Sequence, residues 1–137
     1  MRMFSAGYNY SCTSNPKVWL GVSKDGADVG KMTFELYANH CPNLAANFAA
    51  FCNASATENR SFAGTGFNTG LEGYAINGGC LGDPNNIGAG DSRVADENLD
   101  LRHHKRGMLT MRNSGPNSNG SKFAVLFDEA HYLDGYN

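Results

Sequence analysis

The sequence predicts a mainly β domain with one clear helix, and three observations carry that expectation. Glycine accounts for 17 of 137 residues without a Gly-X-Y period, which favours short strands joined by tight turns over a collagen-like chain. From Gly30 to Tyr37, Met32, Phe34 and Leu36 alternate with Lys31, Thr33 and Glu35, the period of a strand with one buried face. One stretch, about 42 to 52, carries its apolar residues at helical spacing instead.

The elements follow in order. After a polar leader over residues 1–14, Val18, Trp19, Leu20 and Val22 give Lys17–Val22 the composition of a strand, and Lys24 to Asp28 supply turn residues. The strand from Gly30 completes a hairpin. Pro42 suits a first helical turn, where its missing N–H costs nothing, and Leu44, Ala45, Phe48, Phe51 and Cys52 form the buried stripe of a helix. From Asn53 to Asp91 the chain is rich in Gly, Asn, Ser and Thr, which predicts loops with brief strands. Two further strands are expected at Gly107–Met111 and Lys122–Phe127, separated by the turn-rich stretch Asn113–Gly120. A length of 137 residues allows one domain with one core.

Composition narrows the function. With 11 basic and 13 acidic residues the net charge is -2, so no basic field exists for gripping nucleic acid. No run approaches the ~18 to 20 apolar residues of a membrane span. The four cysteines, Cys12, Cys41, Cys52 and Cys80, form no C-x-x-C pair, which removes the spacing of a zinc or redox site. A reduced compartment is the simplest reading, although an even count leaves two disulfides of a secreted protein open. The first fifteen residues lack a secretory apolar stretch and carry only Arg2 as a charge. The cytoplasm is the expected location, with a mitochondrial leader as the alternative.

Several patterns invite sharper readings that their chemistry does not sustain. His103-His104-Lys105-Arg106 has no ligand at metal spacing and is expected to be a solvated loop. His40 beside Cys41 suggests a thiol–histidine pair, yet a cysteine at a helix start is more commonly a packing residue. Gly64-Thr65-Gly66 and Gly78-Gly79 lack any phosphate-loop spacing and read as turns.

Separated blocks nevertheless agree on one family. Phe34-Glu35-Leu36-Tyr37, Cys41-Pro42 and Ala46-Asn47-Phe48 are followed by Asp96-Glu97-Asn98, Gly107 to Met111, Asn113 to Phe123 and Tyr132-Leu133-Asp134-Gly135. In this order they resemble the cyclophilin-type peptidyl-prolyl isomerases, across residues 15–137. The resemblance implies a cyclophilin-like β-barrel, a groove that binds a proline-containing peptide or protein segment, and no cofactor. The family continues through two more strands and a second helix beyond the position of Asn137. The barrel is therefore expected to be incomplete at its C-terminus, with a protein partner covering the opening.

The family's catalytic block reads Phe-His-Arg, a few apolar residues, Gly-Phe-Met, one residue, Gln-Gly-Gly. Here Phe67, Gly73, Gly78 and Gly79 align the block without gaps, so Thr69 falls at the catalytic arginine. That arginine donates to the prolyl nitrogen as the amide twists; a threonine has neither the charge nor the reach. The resemblance places Phe67, Tyr74, Ala75, Asn77, Arg112, Asn113, Lys122, Ala124, Tyr132 and Leu133 along the groove. Ala75 stands for a methionine and Ala124 for a phenylalanine, which weakens the grip on a proline ring. Arg112 and Lys122 bring two cations to the groove and favour peptides with acidic flanks. Three functions follow: a proline-segment binder with weak or lost isomerase activity; a structural subunit of an axonemal or mitochondrial assembly; and an active isomerase using Arg112 or desolvation of the amide.

Overall fold

The computed structural model describes residues 9–55, 61–81 and 93–137. Strands β1 (Lys17–Lys24) and β2 (Ala27–Glu35) form an antiparallel hairpin. Asp25 and Gly26 turn the chain with φ of 52° and 81°. Two successive positive φ values match the twist of paired strands, and Asp-Gly is a pair that tolerates them. β2 starts at Ala27 rather than Gly30 because its pairing with β1 persists past a bulge at Val22/Ser23, where side-chain alternation no longer marks it.

Helix α1 (Pro42–Asn53) runs as its spacing predicts and buries Ala45, Phe48 and Phe51. Its N-cap, Cys41, offers no side-chain acceptor. The Glu97 carboxylate fills that role from 53 and 54 residues away, accepting the N–H groups of Leu44 at 2.6 Å and Asn43 at 3.0 Å. A carboxylate at a helix start satisfies orphan donors and complements the helix dipole. Glu97→Ala is expected to cost about 1 to 2 kcal/mol, read as a lower urea midpoint with an unchanged slope. An unmoved midpoint would show that water replaces the carboxylate at no cost.

The second sheet contains β3 (Thr69–Leu71), β4 (Ala75–Gly78), β5 (Leu109–Met111) and β6 (Phe123–Leu126), antiparallel in the order β3-β4-β6-β5. β3 and β4 are the brief strands expected after the helix; the parts of that stretch at 56–60 and 82–91 lie outside the described residues. β5 and β6 are shorter than predicted. Single bonds from Gly107 N–H to the Leu126 oxygen and from Arg112 N–H to the Lys122 oxygen continue their ladder beyond the strand ends.

One face of this sheet meets the helix and the hairpin. Phe123 and Val125, with Ile76, Leu109 and Met111, pack against Phe48, Phe34, Val18 and Leu36. Phe48 is the hub: its ring lies edge-on to Phe123 at 5.2 Å and to Phe34 at 6.4 Å. Among the described residues the two sheets do not close into a barrel, as the expected incomplete barrel requires. A cavity of about 270 Å³ lies between β2 and β5, lined by Phe34, Leu36, Leu109 and Met111 among others.

Residues 1–8 of the polar leader lie outside the described residues. Beyond them, Glu35 accepts hydrogen bonds from Ser11 Oγ at 2.7 Å, Asn15 Nδ2 at 2.9 Å and the Cys12 N–H at 3.1 Å, which ties this segment to the end of β2. Among the described residues no helix is long and apolar enough to cross a membrane.

Candidate active site

Register alone assembles the centre of the site. Thr69 on β3 lies opposite Asn77 on β4, Asn77 opposite Ala124 on β6, and Ala124 opposite Thr110 on β5. Opposed residues in antiparallel strands share a face, so these four form one row across the sheet, on the side away from the aromatic core. Leu71, Ala75 and Leu126 make the adjacent row on the same face. Leu71 is exposed there. Sequence reasoning passed over it because by resemblance it falls among a few apolar residues to which the family's block gives no role.

The other expected groove residues are distributed unevenly. Tyr74 projects from the β3–β4 turn, its N–H bonded to the Leu71 oxygen at 2.9 Å and its carbonyl accepting the Phe127 N–H at 2.7 Å. Tyr132 is 63% exposed on the short 3-10 turn His131–Leu133, with Leu133 half-buried beside it. Asn113 spends its Nδ2 on the Tyr136 oxygen at 2.9 Å. Ala124 is only 1% exposed, so it is a floor beneath its neighbours rather than a surface for a ring to touch. Phe67 sits on the core side, its ring edge-on to Phe123 at 6.2 Å. A Cβ at Gly78 would approach both rings to 3.1 Å, which is why that position holds no side chain. The cavity between β2 and β5 is lined by Leu109 and Met111, whose side chains also meet the core, and by Thr110.

At Thr69 the chemistry is neutral. Asn77 Nδ2 donates to Thr69 Oγ1 at 2.9 Å, so the two side chains engage each other at the exposed edge of the sheet. Arg112 follows the end of β5, two residues beyond Thr110 and outside this row. Three inter-strand spacings separate it from Thr69, about 14 Å before any offset along the strands, well beyond the length of one side chain.

One expectation requires correction. The His103–Arg106 segment was expected to be solvated, yet His103 is only 5% exposed. Its Nε2 shares a hydrogen bond with Thr110 Oγ1 at 2.8 Å, and its Nδ1 and backbone N–H meet Asp134 Oδ1 at 2.8 and 2.7 Å. His131 Nδ1 reaches the second oxygen, Asp134 Oδ2, at 2.8 Å. Asp134 thus fastens the turn carrying Tyr132 and Leu133 to β5. Polar composition suggested solvent because the partner that makes burial tolerable lies 31 residues away.

Burial alone would raise the Asp134 carboxyl, but the His103 N–H and the two imidazoles outweigh it and hold its pKa at about 2. His131 is raised by the same bond, with the Asp134 and Glu129 charges adding to it. A depressed acid contributes stability above its unfolded pKa, near 4, and loses it as pH falls through the folded value. Stability should therefore decline between about pH 4 and pH 2, and Asp134→Asn should flatten that part of the curve; denaturant melts across the range read it. An unaltered acid limb in the variant would remove Asp134 from this role.

The loop Asn113–Gly120 is held in place rather than merely polar. Asp96 accepts the Asn117 N–H at 3.0 Å and Asn119 Nδ2 at 2.7 Å, while Asn47 Nδ2 donates to the Gly120 oxygen at 3.0 Å. All four cysteines are free thiols. Burial pushes the Cys41 thiol up and that of Cys52 to about 11, which disfavours thiolate chemistry at either. Residues 22–137 match the family model described as cyclophilin type peptidyl-prolyl cis-trans isomerase/CLD.

Proposed function

We propose a binding role for this chain, which belongs to the cyclophilin-type peptidyl-prolyl cis-trans isomerase family: it holds proline-containing segments against the β3–β4–β6 face but isomerises them poorly. The observation that carries this reading is Thr69, a neutral hydroxyl engaged by Asn77 where the family places its catalytic arginine. Tyr74, Ala75 and Tyr132 still present apolar surface for a ring, and Asn77 retains a side-chain carbonyl for the flanking backbone. The groove keeps contacts made equally to planar and twisted amide, and lacks the one made preferentially to the twisted form.

A neutral Ala-Pro peptide tests both halves. Amide shifts should move at Thr69, Tyr74, Asn77 and Leu133 on titration, while exchange NMR should return an isomerisation rate at least a hundredfold below that of an ordinary cyclophilin. A rate close to the ordinary value would overturn impaired turnover. Absence of any shift would overturn binding.

A second reading, a subunit of a larger assembly, is favoured by the edges of β2 and β5, which among the described residues pair with no further strand and flank the cavity. Unpaired strand edges invite pairing with another chain. Sedimentation of the isolated protein should then show self-association; a stable monomer at high concentration would count against it.

A further inference from the structure

We propose that His131 is a positioning residue for the groove: when protonated it closes the turn that carries Tyr132, so that a proline-containing segment binds more tightly in mildly acidic than in mildly alkaline solution. This rests on the proline-binding reading above and adds a control to that same site. Tyr132 has no anchor of its own. Its ring is 63% exposed, and among the described residues its side chain makes no hydrogen bond or ring contact. Where the ring stands is therefore set by the backbone of the turn His131–Leu133.

Two sets of bonds fix that turn. Its ends are tied to the segment before β5, by the Ala130 N–H to the His103 oxygen at 2.8 Å and by Asp134 Oδ1 to the His103 N–H and Nδ1. Across it, His131 Nδ1 meets Asp134 Oδ2 at 2.8 Å, a bridge from the first residue of the turn to the residue after its last. The charged groups around the imidazole are Asp134, Glu129, whose Oε2 lies 3.6 Å from Nε2, and Arg102, whose guanidinium is 3.8 Å from the same Asp134 oxygen; His103 holds the other Asp134 oxygen. The Asp134 hydrogen bond, and then the charges of Asp134 and Glu129, favour the imidazolium over the opposing effects of burial and Arg102, so the pKa of His131 is raised. A neutral imidazole can still donate from Nδ1, but it loses the charge that strengthens the bond and its attraction to Glu129. A raised histidine contributes fully below its unfolded pKa, near 6.5, and that contribution fades as pH rises through the folded value. With the bridge weakened, Tyr132 samples more positions, and a ligand that needs one of them must order the turn on binding, which lowers affinity.

The test is a neutral Ala-Pro peptide titrated by NMR against the intact chain at about pH 5.5 and about pH 8.5. Affinity should fall roughly two- to fivefold between them, the size of effect that an exposed charged pair supplies. Binding and protonation are linked, so the His131 imidazole, followed by its own resonances, should titrate at higher pH with peptide bound than without. His131→Gln should bind at the weaker level across the range, and His131→Arg, permanently charged, at the tighter one. The imidazole titration needs no variant and stands even if either change disturbs the turn. A pH dependence that survives in His131→Gln overturns the proposal, as does an imidazole that titrates identically with and without bound peptide. Equal affinity of the wild-type chain at both pH values overturns it and leaves proline binding standing. Failure of the peptide to bind at either pH overturns both.

Discussion

Thr69→Arg is expected to raise the rate at which the chain isomerises an Ala-Pro peptide by roughly a hundred- to a thousandfold. Rotation about a peptide bond must break amide resonance, a barrier of ~18 to 20 kcal/mol in general. The twisted amide leaves a lone pair on the prolyl nitrogen, and a fixed cationic donor stabilises that state over the planar one. Loss of a comparable preorganised donor costs about 2.7 to 4 kcal/mol in other enzymes, which sets the size of the gain expected on restoring it. The structure allows the replacement. Thr69 is exposed on β3, at the outer edge of the sheet, with room for a longer side chain over the row that holds Asn77. Exchange NMR on wild type and variant measures the ratio. A gain below tenfold with peptide binding intact would overturn the assignment of Thr69 as the missing donor, and Ala75→Met added to Thr69→Arg would then test the lost wall.

Gly79→Ala should be the most damaging single methyl in the sheet that carries the site, at about 3 to 5 kcal/mol. Gly79 has φ of 81°, and a Cβ there would collide with the Ser121 carbonyl and lie 2.9 Å from the Phe123 ring. Ser121 is itself fully buried and bonds the Gly79 oxygen at 2.6 Å, so neither side can retreat. Gly73 provides the control. Its φ is 80°, almost the same, but nothing lies within 4 Å of the added atom. Gly73→Ala therefore incurs only the left-handed backbone penalty, about 1 to 2 kcal/mol. Urea melts of the two variants separate conformational strain from steric contact. Equal losses would show that the sheet yields freely at Gly79.

Local elements were largely legible because short-range rules govern them. The alternation of Met32, Phe34 and Leu36, the Asp25-Gly26 turn and the Pro42 helix start each state their own conformation within a few residues. The placing of Thr69 rests on Phe67, Gly73, Gly78 and Gly79, which by resemblance align the block without gaps.

What a residue touches was another matter. Asp96, Glu97, Asn117, Asn119 and Asp134 all lie in blocks that marked the family, yet nothing in their spacing assigns them a task. In three dimensions Glu97 caps α1, Asp96 fastens the Asn113–Gly120 loop, and Asp134 anchors the Tyr132 turn through His103. Polarity predicted solvent for His103 because composition counts hydrogen-bonding capacity without seeing whether a distant partner meets it.

The amino-acid order by itself determined the strands, the helix and the family, all properties written in neighbouring side chains. Only tertiary structure decided that Ala124 is a covered floor, that Phe67 faces the core, and that Arg112 stands three strands from Thr69. Those outcomes follow from strand order and register, which arise when segments far apart in the chain pair to bury a common apolar face.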